Sequence, residues 1–325
     1  IVTKAETELN KNGEYLWLNS NPPHIENEDE IPVARFDGNE SSKHTYRCYL
    51  EQKYGKRIML YSGIHFNLSF YNTEKSKNDF YMHLLKQATK YSWLIVLLTA
   101  ASPVYDKSFE SDGQSGTAFD GKSSMRNSTK GYWNNFVPVL DYSSLDSYCE
   151  SIKNYIEKGV IISASELYVP VRIKPCGQND IDSLQKNGAD HIELRMFDIN
   201  PLSPIGVFTE DLKFAYLFLI YLSTLADFEF TADLQKQAFE NHKKAAEYDL
   251  SETEIYGKNI IDSAKDIIND MKKYFAENYS SDEISEIFDF QLNKLVGNNR
   301  YSDRVCELYK NDFQHIMTSK VTKER

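Results

Sequence analysis

The chain has 325 residues, 41% of them hydrophobic, enough to bury a sizeable core as one large domain or two smaller ones. A formal net charge of −11 argues against nucleic acid as the main partner, because phosphate backbones need a basic face, although a local basic pocket for an anionic substrate stays open. The four cysteines (Cys48, Cys149, Cys176, Cys306) lie far apart without a CxxC or Cys/His cluster, which disfavours a zinc site or a disulfide framework and reads as reduced thiols in a cytoplasmic protein.

Residues 1–13 read as a helix already under way. Pro22–Asp37 reads as a loop whose acidic cluster, Glu26, Glu28, Asp29 and Glu30, is expected to be a solvated face. Lys43–Tyr54 fits a helix, with Tyr46, Leu50 and Tyr54 spaced by four on one side. Arg57–Phe70 alternates with period two: Ile58, Leu60, Ile64, Phe66, Leu68 and Phe70 face one way, and Tyr61, Gly63, His65, Asn67 and Ser69 the other. That predicts a strand with one core face and one polar face.

Lys77–Ala101 reads as one long helix. Its apolar run Trp93–Ala101 falls short of the roughly 20 residues a membrane span requires and is expected to be buried, so no membrane partner is expected. Ser102–Trp133, rich in Gly and Ser, reads as a long loop, a kind of segment that is usually functional or disordered. A helix over Leu145–Lys158 precedes a strand over Glu166–Lys174, on which Glu166, Tyr168 and Arg172 share a face. A short helix, Asp180–Asn187, leads into a strand over His191–Phe197 that sets Glu193 and Arg195 on one side and Ile192, Leu194 and Met196 on the other. Helical periodicity then fills the rest, over Thr209–Leu225, Ala232–Tyr248, Lys258–Glu277, Asp282–Val296 and Ser302–Thr318. The fold class is α+β, a mainly antiparallel sheet with a helical C-terminal part, divided as 1–208 and 209–325, the second packed on the first.

Taken singly, these polar residues have ordinary explanations. A strand histidine is more often a hydrogen-bonded structural residue than a metal ligand, and Glu193 with Arg195 could be a structural ion pair. Taken together, three strands each offer a polar face: His65 and Asn67; Glu166, Tyr168 and Arg172; Glu193 and Arg195. Buried charge is costly unless paired or bound. Carboxylates with a histidine suit Mg²⁺ and its phosphates, and arginines grip carboxylate and phosphate bidentately. The combination points to nucleotide-dependent chemistry on an acidic small molecule. No GxxxxGK[ST] or GxGxxG loop is present, which disfavours P-loop and Rossmann enzymes.

At these same residues the chain resembles bacterial-type glutamate–cysteine ligases. The resemblance runs through YLWLNSNPP at Tyr15–Pro23, YRCYLEQKYG at Tyr46–Gly55, SGIHFNLSF at Ser62–Phe70, SMRNSTKGY at Ser124–Tyr132, SELYVPVRIKP at Ser165–Pro175 and IELRMFDINPLSPIGV at Ile192–Val207. It implies a glutamine-synthetase-like sheet holding ATP and Mg²⁺. The implied activity phosphorylates the glutamate γ-carboxylate and passes the γ-glutamyl group to cysteine, the first step of glutathione biosynthesis. By motif position it implies His65 and Glu193 at the metal and nucleotide, and Arg47 and Arg195 at the phosphoryl group. It implies Arg126 at the amino-acid carboxylate, and Tyr46, Leu50, Tyr132 and Tyr168 around the cysteine side chain.

The family normally opens with a GxExE strand that supplies most Mg²⁺ ligands, and no such segment occurs in the given sequence; a smaller departure is Ser165, where related sequences more often carry Asn. The expectation is therefore a ligase lacking its first segment, with little or no turnover by this polypeptide alone. Two alternatives are a γ-glutamyl ligase for another amine acceptor and a non-catalytic glutamate- or nucleotide-binding protein. Fusion to, or cooperation with, a glutathione synthetase is a further expectation.

Overall fold

The computed structural model describes residues 2–38, 41–71, 76–279 and 281–313. Helix α1 spans Val2–Lys11 and α2 spans Ser41–Tyr54, ending where Gly55 takes φ +83°. Strand β1 is only Ile64–Leu68. The first part of the strand expected over Arg57–Phe70 is instead a 3-10 turn at Ile58–Leu60. The cause is local: Glu28 Oε1 accepts from the backbone N–H of Lys56 and Arg57, and the Arg57 side chain pairs with Glu28 and Asp112. Part of the acidic cluster is thus a clamp rather than a solvated face.

The expected long helix is two, α3 (Lys77–Lys90, capped by the Ser76 side chain) and α4 (Ser92–Thr99), separated by the non-helical Tyr91. A one-residue break without Gly or Pro leaves the hydrophobic pattern unchanged, so it is silent in the sequence. The expected loop at Ser102–Trp133 contains a hairpin, β2 (Val104–Asp106) with β3 (Thr117–Phe119). Helix α5 (Leu145–Glu157, capped by Ser144) precedes β4 (Val171–Lys174), α6 (Ile181–Asn187, capped by Asp180) and β5 (His191–Phe197).

Strand β4 starts five residues later than the pattern suggests. Pro170 has no N–H to donate to a ladder, and the Asn134 side chain occupies Tyr168 N and Glu166 O. The carboxylate of Glu166 is fully buried and accepts from Lys53 Nζ, Tyr54 Oη and the Ile162 N–H. It therefore ties α2 to the approach of β4 and is not part of a charged sheet face with Tyr168 and Arg172.

The helical remainder comprises α7 (Thr209–Thr224), α8 (Ala232–Lys244), a small hairpin of β6 (Glu254–Ile255) and β7 (Lys258–Asn259), α9 (Ile260–Tyr279), α10 (Asp282–Lys294) and α11 (Tyr301–Tyr309). The last helix is shorter than the expected Ser302–Thr318, whose final residues lie outside the described ones.

The three strands expected to offer polar faces do share one antiparallel sheet, in the order β1-β5-β4. Asn67, Glu193 and Arg172 lie opposite one another across it. The other face carries Ile64, Phe66, Leu68, Val171, Ile173, Ile192 and Leu194 into a core built with α3, α4 and α7. That core runs without interruption into the helical part, through Phe214, Phe218, Phe239, Met271 and Phe288. The α+β fold is therefore a small sheet backed by helices, with its polar face turned away from the core.

Candidate functional site

That polar face forms the floor of a cavity of about 470 Å³. All nine residues expected at the site line it: Tyr46, Arg47 and Leu50 from α2, His65 from β1, Glu193 and Arg195 from β5, and Arg126, Tyr132 and Tyr168 from the connections. Arg172 and Lys174 of β4 line it too. Among the described residues, five cationic side chains thus face a single carboxylate, Glu193, in a chain that is acidic overall.

Glu193 is held by three partners. His65 Nδ1 lies 3.2 Å away, Arg195 Nη1 3.1 Å and Lys174 Nζ 3.5 Å. Burial alone would push its carboxyl up, but the His65 hydrogen bond and the charges of Arg195, Lys174 and His65 hold it well below the usual carboxylate range. Burial lowers Lys174 and brings Arg172 down to about 10, the Arg195 charge adding to both and the Glu193 carboxylate opposing it. The cavity thus carries more lysine and arginine side chains than carboxylates, a lining that suits an anion.

Arg126 is seated by a bulge in β5. Between the pairs Ile64–Phe197 and Phe66–Leu194, β1 advances two residues and β5 three, so β5 carries one extra residue at Arg195–Met196. Three successive carbonyls there accept from two consecutive side chains. Arg126 donates from Nη2 to Arg195 O and from Nη1 to Phe197 O, and Asn127 donates from Nδ2 to Met196 O (2.9 Å). Burial brings the Arg126 guanidinium down to about 10, with Asp198 opposing the shift. Asp198 is itself buried, accepting from Ala101 N, Ser102 Oγ, Ser124 Oγ and Asn127 Nδ2. Gly131 completes the seat, since a β carbon there would overlap the carbonyl of Arg126.

The aromatic wall is a stack of tyrosines. The rings of Tyr132 and Tyr168 lie 4.1 Å apart with their hydroxyls hydrogen-bonded to each other, and Tyr54 meets both edge-on at 5.5 and 5.7 Å. Burial pushes the Tyr132 hydroxyl up to about 12, so the wall is neutral. Leu50 is buried beside it.

Sequence reasoning missed Asn127, Asp198, Lys174 and His242 as parts of this site. Asn127 and Asp198 lie inside the quoted motifs, Asn127 directly after Arg126 and Asp198 three residues after Arg195. His242 sits in a polar stretch, NHKK, but it continues the stripe Gln235, Ala238, Phe239 at helical spacing, and that stripe is buried. Burial brings its imidazole down to about 3, so it is neutral at physiological pH.

As a metal site the described residues are insufficient. A hard divalent cation prefers several oxygen ligands, whereas among the described residues the cavity offers one carboxylate, already shared by His65, Lys174 and Arg195. Among the described residues no group of three or more His, Cys, Asp or Glu could hold a metal ion. His65 and Glu193 meet, but through a hydrogen bond to each other.

The family model for glutamate-cysteine ligase matches residues 2–161 and 155–245. The chain belongs to the glutamate–cysteine ligase family. The glutathione biosynthesis bifunctional protein GshAB of Listeria monocytogenes is 38% identical over 270 residues, covering 76% of this chain and 35% of that protein. Its namesake in Clostridium perfringens is 34% identical over 305 residues, covering 85% and 39%. The ligase-family chain thus spans little more than a third of the length of these curated relatives. A crystal structure of glutamate–cysteine ligase from Francisella tularensis in complex with AMP matches with a TM-score of 0.81 at 20% identity, over 94% of this chain and 72% of that one. A bifunctional glutathione synthetase from Pasteurella multocida matches at 0.70 and 23%, over 86% and 38%. At these identities the likeness shows a shared fold. Among the described residues, no helix is long and apolar enough to cross a membrane.

Proposed function

We propose that the protein to which this chain belongs joins the γ-carboxylate of glutamate to the amine of cysteine at the expense of ATP, as the first step of glutathione biosynthesis. The observation that carries this reading is the pairing of five cationic side chains with a neutral tyrosine wall in one cavity. In the first step a γ-carboxylate oxygen attacks the terminal phosphorus of ATP and ADP leaves. In the second the cysteine amine attacks the acyl carbon, phosphate leaves, and the amine gives up its proton. Both transition states carry spread negative charge, which preorganised guanidinium groups stabilise. Arg47 and Arg195 are assigned to the phosphoryl group, with Arg172 and Lys174 beside them, and Arg126 to a carboxylate of the amino acid. Tyr46, Leu50, Tyr132 and Tyr168 would take the thiol side chain, which prefers an aromatic and aliphatic lining.

ATP is proposed as the Mg²⁺ complex. His65 and Glu193 would face it, but the described residues do not complete a site for the ion. Work in the cytoplasm, and fusion to or cooperation with a glutathione synthetase, belong to the same reading; relatives named as bifunctional support the latter. The test is γ-glutamylcysteine formation from glutamate, cysteine and Mg-ATP by the full-length protein, with ADP and phosphate released in equal amounts. Absence of glutamate-dependent ADP release would overturn it.

A second reading, binding of glutamate or nucleotide without turnover, is favoured by the lone carboxylate of the cavity. It predicts calorimetric binding of glutamate and no product, even from the full-length protein.

A further inference from the structure

Behind the β5 bulge runs a chain of hydrogen bonds whose polarity is fixed. Met196 O can only accept, so the Asn127 amide must present Nδ2 to it and turn Oδ1 the other way. Oδ1 can only accept, and His242 Nε2 lies 3.3 Å from it, so Nε2 carries the proton. His242 Nδ1 is then the acceptor, and Ser92 Oγ donates to it at 3.0 Å. Every bond points one way: Ser92 at the start of α4, His242 on α8, Asn127 in the connection, Met196 on β5. His242 and Ser92 are completely buried, and the Trp133 ring packs edge-on against the imidazole at 5.3 Å. His242 also lines the cavity, so among the described residues the helical part of the chain reaches the site through this one side chain.

We propose that His242 is a positioning residue, which locks the Asn127 amide and through it the β5 bulge, so that Arg126 and Arg195 face the substrate in fixed geometry. Without the imidazole, Asn127 Oδ1 loses its donor, and the amide is held from its Nδ2 side alone, by Met196 O, Ser124 Oγ and Asp198 Oδ1. Any rotation of the less constrained amide weakens the bond to Met196 O and shifts the carbonyls of Arg195 and Phe197 that seat Arg126. This role rests on the reading of the cavity as the amino-acid and phosphate site. It differs from an ordinary core contact because it acts through orientation, not volume.

The experiment has two arms. The first is nitrogen-15 NMR of the histidine side chains of this chain, with His242 assigned by its absence in His242→Gln. The expected result is the Nε2–H tautomer, unchanged between pH 5 and 8 around the histidine reference value of about 6.5. An Nδ1–H tautomer, or titration near that value, overturns the proposal whatever the fate of the substrate reading. The second arm is calorimetry of glutamate binding in the presence of Mg-ADP with the full-length protein. His242→Phe keeps the volume and loses both bonds, and should weaken glutamate about tenfold, the worth of one well-placed hydrogen bond. His242→Gln, which can still accept from Ser92 and donate to Asn127, should restore most of the affinity. Equal affinity for wild type and His242→Phe overturns the positioning role. Failure of the wild type to bind glutamate overturns the substrate reading and with it the role assigned here, while the tautomer still reports whether the chain of bonds exists.

Discussion

Gly63 makes room for Arg126: a β carbon on Gly63 would overlap the guanidinium carbon and its nitrogens. Gly63 stands one residue before β1, and its φ is not in the left-handed region, so the requirement is for space alone.

Gly63→Ala is accordingly expected to displace the Arg126 head without straining the backbone. Arg126 would lose its bonds to the carbonyls of Arg195 and Phe197 and point elsewhere in the cavity. Glutamate affinity should fall by about tenfold or more, while stability to urea changes by no more than about 1 kcal/mol. Calorimetry and urea melts on the same protein separate the two effects. Unchanged affinity in Gly63→Ala would show that Arg126 does not hold the substrate.

Glu193 gives a pH prediction. Its carboxyl is held below the usual range, so it contributes stability that is fully present above the ordinary glutamate value of about 4.3 and is lost as pH falls towards the folded-state value. The sign is that of an acid whose charged form is favoured by folding. Relative to Glu193→Gln, the wild type should be more stable at pH 7, and this advantage should shrink steadily below about pH 4. Urea melts of both proteins at pH 7 and pH 3.5 provide the comparison, and an advantage that stays constant would mean that His65, Lys174 and Arg195 do not hold the carboxylate in solution.

The sheet was legible because its strands alternate, and alternation survives without knowledge of what pairs with what. Glu193 and Arg195 could be placed on one face for that reason. Alternation misled at Glu166 and Ile58, where side chains from distant segments, Asn134 and Glu28, take up the backbone groups a ladder would need. The role of Arg126 was visible only through resemblance, since a lone arginine in a Gly/Ser-rich stretch otherwise reads as surface charge. His242 was out of reach, because its partner Asn127 lies 115 residues away and no local pattern encodes that meeting. The bulge in β5 was hidden for a related reason, since it is fixed by Arg126 and Asn127 and not by a glycine in the strand.

A buried ion pair organises the helical part. Lys294 Nζ on α10 donates to Asp211 Oδ1 on α7 at 2.5 Å and to Leu98 O of α4, while Tyr301 Oη and Gln291 Nε2 also reach Asp211. Both charges are almost fully buried, and the ammonium lies 4.1 Å from the centre of the Tyr301 ring. Removing one partner leaves the other charge uncompensated, so Lys294→Ala should cost about 3–5 kcal/mol in urea melts. The double variant Lys294→Met with Asp211→Leu replaces both charges with apolar groups and should recover much of that loss. Neither residue lines the cavity, so glutamate affinity measured below the unfolding transition should stay within about twofold, as expected for distant, independent sites.

The tyrosine wall sets the last expectation, on acceptor choice. The hydroxyls of Tyr132 and Tyr168 are hydrogen-bonded to each other, and the larger part of what the wall offers a substrate is ring surface. A pocket of that kind measures size and polarity and cannot strongly separate a thiol from a methyl group of similar volume. In the full-length protein 2-aminobutyrate should therefore replace cysteine within about tenfold in kcat/KM, whereas glycine, which fills none of the pocket, should fall further, at about 1–3 kcal/mol per missing methylene-sized group. Tyr132→Phe removes a hydroxyl but no ring, and should leave the preference for cysteine over glycine nearly intact. Tyr168→Ala removes a ring and should collapse it. If Tyr132→Phe alone abolished the preference, the hydroxyls and not the rings would be reading the acceptor, and the thiol would have to be recognised by a hydrogen bond.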